Sequence, residues 1–259
     1  MEDYWNNRLK SHKYFSGVGY LGLGVNYNRW LYQLRRQVFF RQVTALGLDF
    51  SRAKILDIGS GNGFYLQLWR LKGAADISAI DISSYAVDNL KENHNYAVIQ
   101  KLDISKDLTG HNFADKKFDV ISTFDVLFHI IDDDGYAKAL HNISCLLHRG
   151  GYFIFSENFS DENKTGRHLA QRKAEDIIKL LSQNKLRLIK KAPMFVIMNY
   201  PVNSKSTFWL ASWKLLEKVI ALSEFNGWLI GAFLFPIEIF LLNFVKTSYS
   251  TYIAICQKE

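Results

Sequence analysis

Lys54-Ile-Leu-Asp57-Ile-Gly59-Ser60-Gly61-Asn62-Gly63-Phe64 is the stretch whose reading decides the fold. A run of strand-forming apolar residues ends in a glycine-rich turn, and a helical pattern begins at once. Glycines at such a turn admit positive φ and let backbone N–H groups approach a ligand without interference from a Cβ. A glycine loop after a first strand is common to several nucleotide-binding folds. Here the spacing is Gly-x-Gly-x-Gly, not the dinucleotide pattern Gly-x-Gly-x-x-Gly. Asp57 also lies within the strand just before the turn, where it would repel a pyrophosphate and attract a cationic amino-acid group. The loop therefore points away from a dinucleotide.

Two more acids recur at the ends of the following runs. Asp81 closes Ala79-Ile80-Asp81-Ile82-Ser83, where a carboxylate accepts from both hydroxyls of a ribose. Asp103 follows the third run, placed to receive an adenine amino group while Ile104 covers the ring. The fourth run, Phe118 to Asp125, opens into Val126-Leu127-Phe128-His129. Each acid alone has a purely structural use, as a helix cap or a turn residue. Their ordered recurrence at successive strand ends favours a ligand site.

Working outward, strand-like runs at Lys54–Ile58, Ile77–Asp81, Ala97–Leu102, Phe118–Phe124, Tyr152–Ser156 and Leu186–Ile189 alternate with helical stretches near 63–73, 84–93, 135–147 and 169–183. Strands separated by helices of this length imply right-handed crossovers and a mostly parallel α/β sheet. The strands are apolar without strict alternation, as expected when helices cover both faces. Tyr249–Cys256 reads as a last strand. The reading gives a core of 51–192 plus 248–259, an aromatic, glycine-rich N-terminal region of 1–50, and an apolar helical insertion of 193–247. In the N-terminal region Trp30, Leu31, Leu34, Val38 and Leu46 fall near one helix face, with Arg35, Arg36 and Arg41 elsewhere.

Composition narrows the class. The 259 residues are 48% hydrophobic and 22% charged, which excludes a disordered or low-complexity chain. Two cysteines, Cys145 and Cys256, provide neither a disulfide framework nor a cysteine-rich zinc site, and imply a reducing, cytoplasmic setting. Met1-Glu-Asp-Tyr-Trp5 lacks the pattern of a signal peptide. The net charge of +7 leans toward anionic partners, although solvated Lys and Arg give the same number. The basic residues read as spread over the whole chain.

The combination ILDIGSGNG at 55–63, AIDIS at 79–83, KLDIS at 101–105, FDVISTFDVLFHI at 118–130 and LLHRGGYFIFSE at 146–157 resembles the class I S-adenosylmethionine-dependent methyltransferases. The resemblance covers roughly residues 50–192 and the last strand. It implies a Rossmann-like sheet of seven strands with the last antiparallel, and S-adenosylmethionine bound at the C-terminal strand ends, with S-adenosylhomocysteine as product. By position, Asp57, Gly59, Ser60, Gly61 and Gly63 would surround the methionine part. Asp81 and Ile82 would hold the ribose, Asp103 and Ile104 the adenine, and Phe124 would lie near the sulfonium. The usual Pro-Gly-Gly before the fifth strand is Arg149-Gly150-Gly151 here.

Methyl transfer needs alignment, a dry pocket and, for some acceptors, a base. His129 is the first base candidate because it follows the fourth strand; the alternative is a histidine that anchors its loop. Asp125 is the second candidate. Tyr14 and Tyr20, in a segment with four glycines, are read as lid residues, or else as part of an ordinary surface turn. Asp132, Asp133 and Asp134 suit a helix N-terminus, and no metal is expected. Asn/Asp-Pro-Pro-Tyr and an RNA-binding module are absent, so a small or lipid-like acceptor is favoured over nucleic acid, and the leading expectation is methylation of a hydroxyl or amine of a small, apolar or glycan-lipid metabolite. A non-catalytic cofactor-binding scaffold and an RNA methyltransferase are the rival readings.

Gly227–Val245 (GWLIGAFLFPIEIFLLNFV) is long enough to span a bilayer and holds one charge, Glu238. It sits between two strands of one sheet, which argues against a single crossing. A buried lid, a homodimer interface and a helix pair lying peripherally in a membrane surface remain. Trp209 and Trp213 lie in a second apolar stripe with Phe208, Leu216 and Ile220, and are read as a wall for a hydrophobic acceptor.

Overall fold

The structure is a computed structural model that describes all residues except Lys13, Gly110, Asn112, Ala114 and Asp115, and the side chains of Tyr14 and Ser16. Helices α1 (Glu2–Ser11), α2 (Tyr14–Val18) and α3 (Gly24–Thr44) precede β1 (Lys54–Ile58), α4 (Phe64–Leu71), β2 (Asp76–Asp81), α5 (Ser84–Asn93), β3 (Ala97–Lys101) and β4 (Phe118–Thr123). Then follow α6 (Asp133–Leu146), β5 (Leu147–Glu157), β6 (Lys164–Thr165), β7 (Ala170–Gln171), α7 (Ala174–Gln183) and β8 (Leu186–Pro193). Helices α8 (Thr207–Ala221) and α9 (Glu224–Phe244) and strand β9 (Tyr252–Lys258) end the chain. Two compact units result. Unit 1 holds Met1–Asn6, Leu48–Lys191 and Ile253–Glu259; unit 2 holds Asn7–Gly47 and Ala192–Tyr252.

The sheet of unit 1 has the order β3-β2-β1-β4-β5-β9-β8. β1 pairs in parallel with β2 and β4, β2 with β3, and β4 with β5. The Gln257 amide near the end of β9 reaches the Gly150 carbonyl near the start of β5. The Glu259 N–H donates to Lys185, just before β8. β9 therefore runs antiparallel to both neighbours, and the mostly parallel seven-stranded sheet is as expected. Because the right-handed crossovers leave β1 in one direction and β4 in the other, the β1/β4 boundary is the switch point where such sheets bind ligands. The apolar runs of β1, β4 and β5 are buried, with Ile55, Leu56, Val120, Ile121, Phe153 and Phe155 fully inside.

Several boundaries differ from the sequence reading, each for a local reason. β5 starts at Leu147 because the chain bulges through Gly150, at φ +81°, before it resumes register with β4 at Tyr152. β8 runs on to Pro193, and β9 occupies 252–258, not 249–256. The helix expected over 169–183 begins only at Ala174, since Ala170–Gln171 pairs antiparallel with β6. The anchor for that extended segment is Arg172, which is buried over the Tyr136 ring at 4.0 Å and donates to the Ile130 carbonyl and the Asp133 carboxylate.

Within unit 2, α3 and α9 lie side by side and parallel. Glu224 accepts from the Val25 and Asn26 N–H groups at one end. The Trp30 indole donates to the Trp228 carbonyl, and Arg41 reaches Leu242 and Asn243 at the other end. One carboxylate thus caps α3 while standing in the first turn of α9, where the helix dipole also favours it. Glu238, the only charge in the apolar run, is fully buried and accepts from the N–H groups of Val196, Ile197 and Met198. Burial pushes its carboxyl up from the ordinary value and the three N–H donors pull it back. Arg35, expected off the apolar face of its helix, is buried beside the rings of Tyr32 and Phe195, at 5.5 and 4.9 Å.

The helix seam depends on two glycines of α9. A Cβ at Gly227 would touch Tyr27 at 3.4 Å, and one at Gly231 would fall 2.1 Å from Cδ1 of Trp30. Alanine is the better helix former by about 1 kcal/mol, so an unpacked helix would gain from Gly231→Ala. The seam predicts the opposite sign, a loss of about 1–3 kcal/mol through displacement of the Trp30 ring. Urea denaturation of the variant beside the parent protein reads that sign directly.

Candidate active site

At the switch point Asp57 stands opposite Ser122 in the β1–β4 register. The Trp69 indole donates to the Ser122 hydroxyl at 2.9 Å, and that hydroxyl donates to Asp57 Oδ1 at 2.6 Å. Only 2% of Asp57 is exposed. Burial pushes its carboxyl up to about 7; the Ser122 and Ser60 hydroxyls oppose the rise and the nearby Asp81 adds to it. The turn that follows holds Gly59, Gly61 and Gly63 at φ +70°, +52° and +83°. A Cβ on Gly59 would come within 2.2 Å of Val126, and one on Gly63 within 2.2 Å of the His94 ring. Glycine is required at both by conformation and by space.

Asp81 closes the turn. Its Oδ2 accepts from the Gly61 N–H at 2.9 Å and its Oδ1 from the Ser83 N–H at 2.8 Å. The Ile82 N–H also favours the ionised form, and a carboxylate has about four acceptor positions, so capacity remains for a further donor. Asp103 takes the N–H and hydroxyl of Ser105 on Oδ1, forming a local turn. A cavity of about 420 Å³ opens here, lined by Gly59, Asp81, Ile82, Leu102, Asp103, Ile104, Val126, His129, Ile130 and Ile131, and by Met1, Glu2 and Trp5 of α1. α1 is tied down by side chains. Asn6 accepts from the Ser83 hydroxyl and the Tyr85 N–H, and Glu2 from Ser84 and Lys101.

His129 ends the short 3₁₀ turn Leu127–His129. Its Nδ1 lies 2.7 Å from the His168 carbonyl, and a carbonyl only accepts, so Nδ1 carries the proton. In the neutral ring the lone pair is then on Nε2. Trp5 meets the ring edge-on at 4.9 Å, and Tyr4 stacks on His168 at 4.2 Å. Asp125 sits at φ +58°, its N–H donating to Ser156 Oγ at 2.6 Å while that hydroxyl donates back to Asp125 Oδ1. Beside them Glu157 is buried, and burial pushes its carboxyl up to about 7; the Asn158 N–H, the Tyr136 hydroxyl and Arg172 oppose the rise. In the folded protein, Asp57 and Glu157 stay protonated at pH values where the unfolded chain would ionise them. Their contribution to stability is therefore complete below about pH 4 and is lost as pH rises to about 7.

Of the residues singled out from sequence, Gly59, Asp81, Ile82, Asp103, Ile104 and His129 line the cavity. Asp57, Ser60, Gly61 and Gly63 form the turn and its support. Phe124 packs face to face on Tyr65, with ring centroids 3.8 Å apart, and is buried. Tyr20, Trp209 and Trp213 belong to unit 2, and the Tyr14 side chain lies outside the described residues. Among the described residues no three His, Cys, Asp or Glu side chains converge as metal ligands do. Sequence reasoning overlooked Met1, Glu2 and Trp5. The available signal was the aromatic pair Tyr4-Trp5 beside two acids at the N-terminus, a pattern read only as the absence of a signal peptide.

The donor set fits S-adenosylmethionine. Asp81 would accept from the ribose, and Ile82 and Ile104 would offer apolar surface to the base. The methyltransferase domain family matches residues 30–192. A ribosomal protein L11 methyltransferase of Prochlorococcus marinus is 29% identical over 140 residues, covering 54% of this chain and 42% of its own. A fumosorinone synthetase of Cordyceps fumosorosea is 32% identical over 124 residues, 45% of this chain and 3% of its own. The chain thus spans less than half the length of these curated relatives. Among solved structures, magnesium protoporphyrin IX methyltransferase from Synechocystis PCC 6803 with bound S-adenosylhomocysteine superposes with a TM-score of 0.58 at 15% identity, covering 100% of this chain and 98% of that one. An S-adenosylmethionine-dependent methyltransferase from Clostridium acetobutylicum gives 0.56 at 16% identity, covering 88% and 92%. The switch-point cavity and the family match agree: this chain belongs to the methyltransferase domain family and has the fold of the class I S-adenosylmethionine-dependent enzymes.

Proposed function

We propose that the enzyme methylates a hydroxyl or amine of a small, apolar or lipid-like acceptor, with His129 as the base. The observation that carries this reading is the paired commitment of the imidazole. Nδ1 is held by the His168 carbonyl, so the basic Nε2 belongs to a ring in the wall of a cavity that combines five isoleucines, Leu102, Val126 and Trp5 with the charged Glu2, Asp81, Asp103, Lys106 and Asp132. The bound cofactor supplies a methyl carbon on a positively charged sulfur. The protein's part is alignment, exclusion of water and removal of one acceptor proton, which Nε2 accepts to give an imidazolium. Trp5, edge-on to that ring, keeps its orientation and covers its apolar side. Asp125, engaged with Ser156, positions the end of β4.

Three measurements test the roles. Asp81→Ala removes the diol acceptor and should weaken S-adenosylhomocysteine binding in calorimetry by about tenfold or more, from roughly 1.5–3 kcal/mol of charge-assisted hydrogen bonding. Unchanged affinity would detach this strand end from the ribose. His129→Ala should lower kcat by roughly two to four orders of magnitude with cofactor affinity intact. A lower melting temperature with an unaltered rate would leave the histidine only its loop-anchoring bond. For Asp57 the sign runs with protonation. Its carboxyl, pushed up to about 7, must ionise to meet the ligand's ammonium group, so binding releases a proton and affinity declines as pH falls below about 7. Asp57→Asn should abolish that slope; an identical slope in both proteins would remove Asp57 from the ammonium site.

A further inference from the structure

Unit 2 carries an apolar face that its own packing leaves uncovered. At about 100° per residue, Phe225, Leu229, Phe233, Ile237, Phe240 and Phe244 of α9 share one side, roughly opposite the seam residues Gly227, Gly231 and Glu238. Phe233 is 70% exposed and Phe244 68%. α8 repeats the arrangement. Phe208, Leu215, Val219 and Leu222 face out, opposite the buried Trp213 and Ile220. Only 17% of the most apolar window of α9 is buried, although its mean hydropathy of 1.7 is that of a membrane-compatible helix. The expectation of a buried lid is not met by these residues. Exposed apolar surface on this scale marks an interaction site.

Charge identifies the occupant. Residues 7–47 hold seven Lys/Arg and no Asp or Glu, and 192–252 hold four Lys/Arg and three Glu, so unit 2 carries +8. The whole chain carries +7, which leaves unit 1 at −1. The basic residues are spread along the chain, as the sequence reading had it, but the acids are not. Of the three Glu, Glu238 is buried and Glu224 is occupied as a helix cap. Lys214 and Lys218 are exposed on α8, next to Leu215 and Val219 of its apolar face, and Arg29, Arg36 and Arg41 are exposed on α3. A second copy placed symmetrically on this face would set +8 against +8. A bilayer crossing by α9 would carry along α3, bonded to it at both ends, and with it Arg29 and Arg36 into hydrocarbon. A helix pair lying in the interface satisfies both constraints, with its apolar side in the acyl boundary and its cations at the headgroups.

We propose that α8 and α9 form a peripheral docking face for the surface of an anionic phospholipid bilayer. This rests on unit 2 alone and stands or falls separately from the base assigned to His129. The test is flotation of the full chain with vesicles of phosphatidylcholine, and of phosphatidylcholine mixed with phosphatidylglycerol, at low and high salt. Binding to the mixed vesicles should exceed that to phosphatidylcholine and fall with salt. Phe233→Ser combined with Phe240→Ser, and Lys214→Glu combined with Lys218→Glu, should each weaken it by roughly tenfold or more. S-adenosylhomocysteine affinity and the thermal transition, measured on the same variants, report that the fold persists. Absence of vesicle binding, or binding that the Phe variant leaves intact, overturns the proposal. So does a concentration-dependent dimer in sedimentation that the Phe variant dissolves without any lipid effect.

Discussion

A carboxylate at the end of β1 has to be kept in a sheet interior that water does not reach, and an isolated ionised oxygen there is expensive. Asp57 meets that constraint with hydroxyl donors and a raised proton affinity. The consequences spread outward. Ser122 must occupy the matching register position on β4, and Trp69 must bring its indole to Ser122, which fixes α4 against the sheet. With α4 fixed, the turn between β1 and α4 has few residues in which to reverse, and three of them take positive φ. The Gly61 N–H in that turn is gathered by Asp81. The ligand site is thus what remains once a buried acid has been accommodated.

That logic explains what could be read from sequence. Asp57, Asp81 and Asp103 recur at strand ends in chain order, and parallel strand ends converge in space, so a one-dimensional pattern encodes a three-dimensional site. Trp5 carries no such pattern. Its place in the cavity wall depends on Asn6 meeting Ser83 and Tyr85, contacts between residues some eighty positions apart that no periodicity announces. The ribbon of Lys164–Thr165 with Ala170–Gln171 was hidden for a similar reason. Helical spacing near 169–183 is real, but a buried Arg172 holding Asp133 and Ile130 outweighs it locally.

Unit 2 shows the same use of acids. Glu224 and Glu238 collect backbone N–H groups, two at the start of α3 and three in the loop at 196–198, much as Asp81 does in unit 1. A lone glutamate in an apolar run reads from sequence as a blemish in a spanning helix. In the fold it is the group that fastens α9 to its neighbouring loop, and it determines which side of the helix is turned inward.

This fastening separates two kinds of surface. Because the two glycines commit one narrow side of α9 to α3 and Glu238 commits the same side to the loop at 196–198, the aromatic side is left exposed. Two of the three acids of unit 2 are meanwhile taken up in holding backbone, which leaves most of its surface cations uncompensated. Unit 1 has the reverse balance. Four of its acids, Asp57, Asp81, Asp103 and Asp125, stand at or just after strand ends, and its total charge is near neutral. The apolar and basic character of one unit and the acids in the cavity wall of the other both follow from where a few carboxylates find their hydrogen-bond donors.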